Sequence, residues 1–117
     1  MLIIFSHWVA DFVFQTHWMA VNKSKSNFAL AYHVLIYTII IGFLIGIPLY
    51  AYGNISYFII SSWISVNGIL HFITDYITSR ITSKLWQKED YHNFFVVVGF
   101  DQLIHYTCLF GTMMYLI

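Results

Sequence analysis

Four long apolar stretches alternate with short linkers along this chain. The apolar stretches run from about Leu2 to Ala20, Ala29 to Tyr52, Tyr57 to Thr78 and Asn93 to Ile117. Each approaches the roughly 20 mostly apolar residues that a helix needs to cross a bilayer. The first linker, Val21 to Phe28, reads VNKSKSNF and is polar. The second, Tyr50 to Ser56, is uncharged and carries the turn signal Gly53-Asn54. The third, Ser79 to His92, reads SRITSKLWQKEDYH. Its Ile81, Leu85 and Trp86 fall at helical spacing between charges, which predicts a short amphipathic helix at the interface. Pro48 is expected to kink or end the second stretch. The pattern predicts one all-α domain over residues 1–117. It is an integral membrane antiparallel bundle of four transmembrane helices, with a short amphipathic helix before the last.

Composition supports a membrane setting. The chain has 117 residues, 60% hydrophobic and 9% charged, against about a quarter charged in a soluble domain. Formal net charge is zero, which offers nothing to a nucleic acid. The single cysteine, Cys108, has no partner for an intrachain disulfide or a zinc knuckle and reads as a packed thiol. The first stretch lacks a basic leader, and His7 and Asp11 interrupt it, so it is expected to be retained as a helix. All five basic residues fall on one side of the four-helix arrangement: Lys23 and Lys25 in the first linker, Arg80, Lys84 and Lys88 in the third. The positive-inside rule then predicts a multi-pass protein of the cell's inner (cytoplasmic) membrane, charged linkers cytoplasmic and termini outside.

The polar residues inside the apolar stretches change the picture from anchor to site. Three of the five acidic residues lie there, each four positions from a histidine: His7/Asp11, His71/Asp75 and Asp101/His105. Ionisable groups at membrane depth are costly and call for a function. Residues four apart share a helix face. His7, Asp11 and Gln15 therefore form one stripe, and Asn67, His71 and Asp75 another. Asp101 and His105, beside Gln102, mark the last helix, and His33 the second. Counting about 1.5 Å per residue from the helix ends, these stripes overlap in the cytoplasmic half of the bundle.

Imidazole and carboxylate ligands suit Zn²⁺, Mn²⁺ or iron, and bundle interiors host such ions. The candidate ligands are His7, Asp11, His33, His71, Asp75, Asp101 and His105, for one or two divalent ions. Gln15, Asn67 and Gln102 are candidates for the outer shell. Lys23 and Arg80, nearest the mouth, are candidates for binding an anionic head group or phosphate. An open coordination position would make the site a hydrolase of a lipid or other membrane-accessible ester or phosphoester, with Asp11 or Asp101 as general base.

Other readings use the same residues. The pairs can glue helices together by hydrogen bonds, or relay protons or ions. Two histidines can hold haem, although haem does not ask for a carboxylate beside each one. A non-enzymatic membrane subunit or proton/ion conduit is thus the alternative. His17 and His92, at helix ends, read as solvated. Trp18, Tyr91 and Tyr115 fit interfacial belts, while Phe12 and Phe14 fit lipid or core. Gly42 and Gly46 form a small-xxx-small pair for close packing or a dimer seam, so homo-oligomers or a membrane complex join lipid as expected partners.

The opening His7-Trp-Val-Ala-Asp11-Phe-Val-Phe-Gln15-Thr16, with Met19-Ala20 and Asn22-Lys23 after it, resembles the start of the domain-of-unknown-function family 3307. The likeness continues through His33, His71-Phe-Ile-Thr-Asp75 and Asp101-Gln102-Leu-Ile-His105. It implies a small membrane protein of bacteria or phages and carries no activity with it. A fainter likeness, resting on intramembrane histidines and acids, is to the YdjM-like membrane-bound metal-dependent hydrolases. It raises the hydrolase reading without naming a substrate.

Overall fold

The computed structural model describes residues 1–117 and is entirely helical. Helix α1 (Leu2–Val13) ends in a π-helical turn over Val9–Val13. A short helix α2 (His17–Asn22) follows, then three long helices: α3 (Asn27–Gly53), α4 (Tyr57–Gln87) and α5 (Tyr91–Leu116). These three are long and apolar enough to cross a membrane. The molecule measures 50 × 24 × 20 Å, with α4 packed along both α3 and α5 and α1 lying against α3 and α5.

Side-chain hydroxyls and carboxylates start the helices. Thr16 accepts from the Met19 N–H, Ser26 from Ala29, Ser56 from Ile59 and Asp90 from Asn93. Each satisfies a backbone donor that the first helical turn leaves open. Asp90 is also bonded by the Asn93 side chain, and these two bonds hold its carboxyl below the usual range. Asn54 ends α3 in the left-handed conformation at φ 51°, which asparagine tolerates better than most residues.

Two expectations are corrected. The first apolar stretch is not one helix from Leu2 to Ala20. It widens into the π turn, breaks at Phe14–Thr16 and restarts when Thr16 caps α2. Hydropathy does not place that break, because Phe14 and Thr16 are tolerated in apolar stretches and Gln15 reads as one more polar residue of the His7/Asp11 stripe. Nor is there a separate amphipathic helix before the last. Ser79 to Gln87 continues α4 without interruption, because no glycine or proline lies between Gly68 and Gly99 to stop it. The turn falls at Lys88–Asp90, with Glu89 at φ 58°. Pro48 does not end α3; a π turn over Gly42–Gly46 sits just ahead of it, where the missing proline N–H leaves the Leu44 carbonyl without its usual partner.

The molecule is polar inside and apolar outside. Of its 26 buried residues, twelve are hydrophobic and twelve polar or charged, so the core does not read like that of a soluble domain. Leu35, Phe43, Phe58, Ile69, Phe100 and Leu103 point outward, each more than half exposed. Inside, Ile3, Ala10, Tyr37, Ile41, Ile45, Trp63 and Leu109 form a continuous apolar cluster at one end. The buried acids and histidines gather toward the other end, where the Lys23–Ser26 and Lys88–Asp90 turns lie.

Glycines set the α3–α4 spacing. A methyl at Gly46 would meet Ile64 at 3.0 Å and Ile60 at 3.4 Å, so the Gly42/Gly46 pair packs against α4 within one chain. A methyl at Gly68 would sit 2.9 Å from Thr38 Oγ1, which is pinned by its 2.7 Å bond to the Val34 carbonyl. Gly68→Ala is expected to cost about 1–3 kcal/mol through overpacking. Gly99→Ala, where nothing lies within 4 Å, should leave the detergent melting temperature unchanged or slightly raised.

Candidate metal centre

Four side chains from three segments point at one spot. Asp11 comes from the π turn of α1, His33 from α3, and His71 and Asp75 from successive turns of α4. His33 Nε2 lies 3.2 Å from His71 Nε2 and 3.1 Å from Asp11 Oδ1. It lies 3.4 Å from Asp75 Oδ2. His71 Nε2 is 3.4 Å from the same Asp11 oxygen and 3.6 Å from the same Asp75 oxygen. All four residues are buried.

These separations test whether a metal fits. A tetrahedron with bonds of about 2.0–2.1 Å, usual for zinc with nitrogen and oxygen ligands, has edges of about 3.3–3.4 Å. Five of the six edges, 3.1 to 3.6 Å, bracket that value. A single proton between any two of these atoms satisfies one edge only, whereas a cation at the centre satisfies all of them. The residues are therefore positioned to hold a metal ion.

Packing fixes the rings. His33 Nδ1 and His71 Nδ1 have no hydrogen-bond partner, unlike most ligating histidines, whose second nitrogen is held. The His71 ring is instead sandwiched: Tyr37 stacks on it at 3.9 Å between centroids and His105 at 4.1 Å. Stacking does here what a hydrogen bond usually does, keeping Nε2 aimed inward.

A second set adjoins the first. His105 Nε2 lies 3.2 Å from Asp75 Oδ1 and 3.3 Å from Asp101 Oδ2. Asp11, Asp101 and His105 also offer ligand atoms within 4.8 Å of one another. Thr78 donates to Asp101 Oδ1 at 2.6 Å. The Gln102 amide donates to Asp11 Oδ2 at 3.1 Å and to Asp101 Oδ2 at 3.0 Å. Since its nitrogen must face these carboxylates, its oxygen faces His7 Nε2 at 2.9 Å and makes that nitrogen a donor. His7 Nδ1 then accepts from the Tyr37 hydroxyl at 3.2 Å. Both ring nitrogens of His7 are thus engaged, and its closest approach to Asp11 is 3.6 Å. His7 orients Gln102 rather than joining the converging atoms.

The remaining expected residues divide. Gln15 leaves the His7/Asp11 stripe because the helix breaks before it; it lines the cavity described below, its Oε1 buried without a partner. Asn67 lies away from the cluster, donating to the Trp63 carbonyl and to Thr112. Arg80 lies on the surface, bonded to Asn27 and the Tyr76 carbonyl and set over the Tyr76 ring at 3.7 Å. Lys23 comes closer than expected. Its ammonium bonds Asp75 Oδ2 at 2.8 Å with its side chain 18% exposed. Burial works against this cation, but Asp75, Asp11 and Asp101 outweigh it and hold its pKa above the ordinary lysine value. Tyr37 and Thr78 were missed, although Tyr37 is four residues after His33 and Thr78 three after Asp75, each about one helical turn from a residue already marked.

A cavity of about 570 Å³ opens from the cluster toward the Lys23–Ser26 turn. Asp11, Asp75, Asp101 and Gln102 form its floor. Lys23 and Lys25 line it with four hydroxyls of one α4 face, Thr78, Ser79, Thr82 and Ser83, and its apolar walls include Phe12, Trp86, Phe94 and Val98.

Fold and centre together define a class: an all-helical, membrane-compatible protein with a buried His/Asp cluster on the floor of a cavity. Residues 1–116 match the family described as protein of unknown function DUF3307, and the chain belongs to it. No curated protein and no solved structure matches the chain.

Proposed function

We propose that this is an integral membrane protein with an intramembrane metal centre, and that it acts as a metal-dependent hydrolase on a lipid or another membrane-accessible ester or phosphoester. The observation that carries the reading is the convergence of His33, His71, Asp11 and Asp75 on one point with tetrahedral edges. In this proposal α1, the break and α2 form a fourth membrane-embedded layer beside α3, α4 and α5. The cavity mouth faces the cytoplasm, where the basic residues collect. The membrane is the inner (cytoplasmic) one.

A divalent cation held by these residues would supply Lewis acidity and would lower the pKa of water in the site. The chain's own groups do the rest. Asp101 lies outside the tetrahedron at the cavity floor, held by Thr78 and Gln102, and in this proposal it takes the proton. Lys25 and the α4 hydroxyls offer donors to an anionic group. Phe12, Trp86 and Phe94 offer an apolar wall to a chain entering from the bilayer. A conduit fits less well, because the apolar cluster of Ile41, Ile45, Trp63 and Leu109 blocks the far side.

Elemental analysis of protein purified in detergent tests the centre. Stoichiometric zinc, manganese or iron is expected, and it should be lost in the Asp11→Asn/His71→Ala double variant. A metal-free wild type that also fails to take up added metal would sink the proposal. The topology has its own test: in a Cys108→Ser background, a cysteine at Ser24 should be labelled only from the cytoplasm and one at Asn54 only from outside.

A further inference from the structure

We propose that the centre takes a second divalent cation, seated by His105 and Asp101 and bridged to the first by Asp11 and Asp75, and that this cation arrives together with a phosphate-bearing ligand. The inference rests on the metal reading above and reassigns Asp101 from proton acceptor to ligand.

The two oxygens of each shared carboxylate serve different partners. Asp75 Oδ2 faces His33 and His71 at 3.4 and 3.6 Å, while its Oδ1 faces His105 at 3.2 Å. Asp11 Oδ1 faces His33 and His71 at 3.1 and 3.4 Å, while its Oδ2 faces the Gln102 amide at 3.1 Å. The same amide nitrogen is 3.0 Å from Asp101 Oδ2, so it occupies the space between two carboxylates of the second set. The His105 edges of 3.2 and 3.3 Å again match bonds of about 2.0–2.1 Å. Carboxylates that split their oxygens in this way hold ions about 3.5–4 Å apart in two-metal sites.

Charge points to what accompanies the second ion. Ligating imidazoles are neutral. Among the groups in direct contact, three carboxylates against the Lys23 ammonium leave a charge of −2, and one divalent cation balances it, Lys25 being exposed to solvent. A second leaves +2, which a phosphate dianion balances. The cavity above the second set offers matching donors. Lys25 lines it, and so does Ser79, 7% exposed with its Oγ lacking any partner.

The test is a Mn²⁺ titration of the full chain in detergent, read by electron paramagnetic resonance, with and without inorganic phosphate. A further arm replaces phosphate with micelles containing phosphatidic acid. One equivalent is expected alone. A second, exchange-coupled equivalent should appear on adding phosphate or the phospholipid, at least tenfold tighter than without it. Enhancement by phosphatidic acid alone would identify a lipid phosphate; enhancement by inorganic phosphate alone, a free one. Asp101→Asn should retain one equivalent and lose the second. A single equivalent under every condition would overturn the second site and leave the first standing, while no bound Mn²⁺ at all would overturn both. Metal–metal scattering in the X-ray absorption of wild-type protein reads the pair without a variant, and its absence in phosphate-saturated, Mn²⁺-loaded protein would also overturn it.

Discussion

Asp75→Asn is expected to destabilise the chelator-treated protein by about 3 kcal/mol, the lower end of the range for breaking a buried ion pair. The Lys23 ammonium lies 2.8 Å from Asp75 Oδ2, and the carboxylate is only 2% exposed. Its two oxygens also face His33, His71 and His105. An asparagine keeps the shape but removes the charge, leaving the lysine without its closest partner. Most of the cost is that of stranding a cation, so removing both charges should recover stability. The Lys23→Met/Asp75→Asn double variant is therefore expected to regain most of what Asp75→Asn loses. Thermal or denaturant unfolding in detergent of wild type, both single variants and the double variant closes the cycle. A loss below about 1 kcal/mol in both singles would mean a solvated pair and would remove Lys23 from the buried cluster.

His71→Ala is expected to weaken metal binding far beyond 100-fold, whereas His7→Ala should weaken it about 10–100-fold, the usual cost of losing an outer-shell partner. The two histidines look alike in sequence, each four residues before an aspartate. In space they differ. His71 Nε2 is one corner of the tetrahedron and its ring is clamped between Tyr37 and His105. Both nitrogens of His7 are spent on Gln102 and Tyr37. Competition with a chromophoric chelator measures both constants. Equal losses in the two variants would contradict the division of roles. His71→Ala also empties a fully packed position and should lower stability, so the comparison is made on protein shown to be folded by circular dichroism.

Much of the site was legible because few residues can afford to be polar in an apolar stretch. Asp11, Asp75, Asp101 and their histidines stood out for that reason, and six of the seven candidate ligands do meet. Gln102 was marked by adjacency to Asp101 and proved to be the link between His7, Asp11 and Asp101. Gln15 was misplaced because periodicity assumes an unbroken helix, and the π turn at Val9–Val13 changes the face on which later residues lie. Asn67 shares the face of His71 and Asp75 yet sits one turn too deep, where Thr112 and the Trp63 carbonyl take its amide. Arg80 was assigned by nearness in sequence to the mouth, but its fork finds Asn27 and Tyr76 on the outer surface.

The sequence by itself determined that the protein is helical, that most of its length suits a membrane, and which acids and histidines must be sheltered. Those follow from composition and periodicity, because burying charge in an apolar setting is costly wherever it occurs. Only the tertiary structure decided which atoms converge. The convergence depends on separations of 3.1 to 3.4 Å between side chains 22 to 60 residues apart, and a helical repeat carries no information about the distance from one helix to the next. Two of the three acid–histidine pairs, His71/Asp75 and Asp101/His105, keep both members among the converging atoms, but no pair is a unit by itself. His33 and His71 meet across two helices at Asp11 and Asp75, and Asp75 turns its other oxygen to His105.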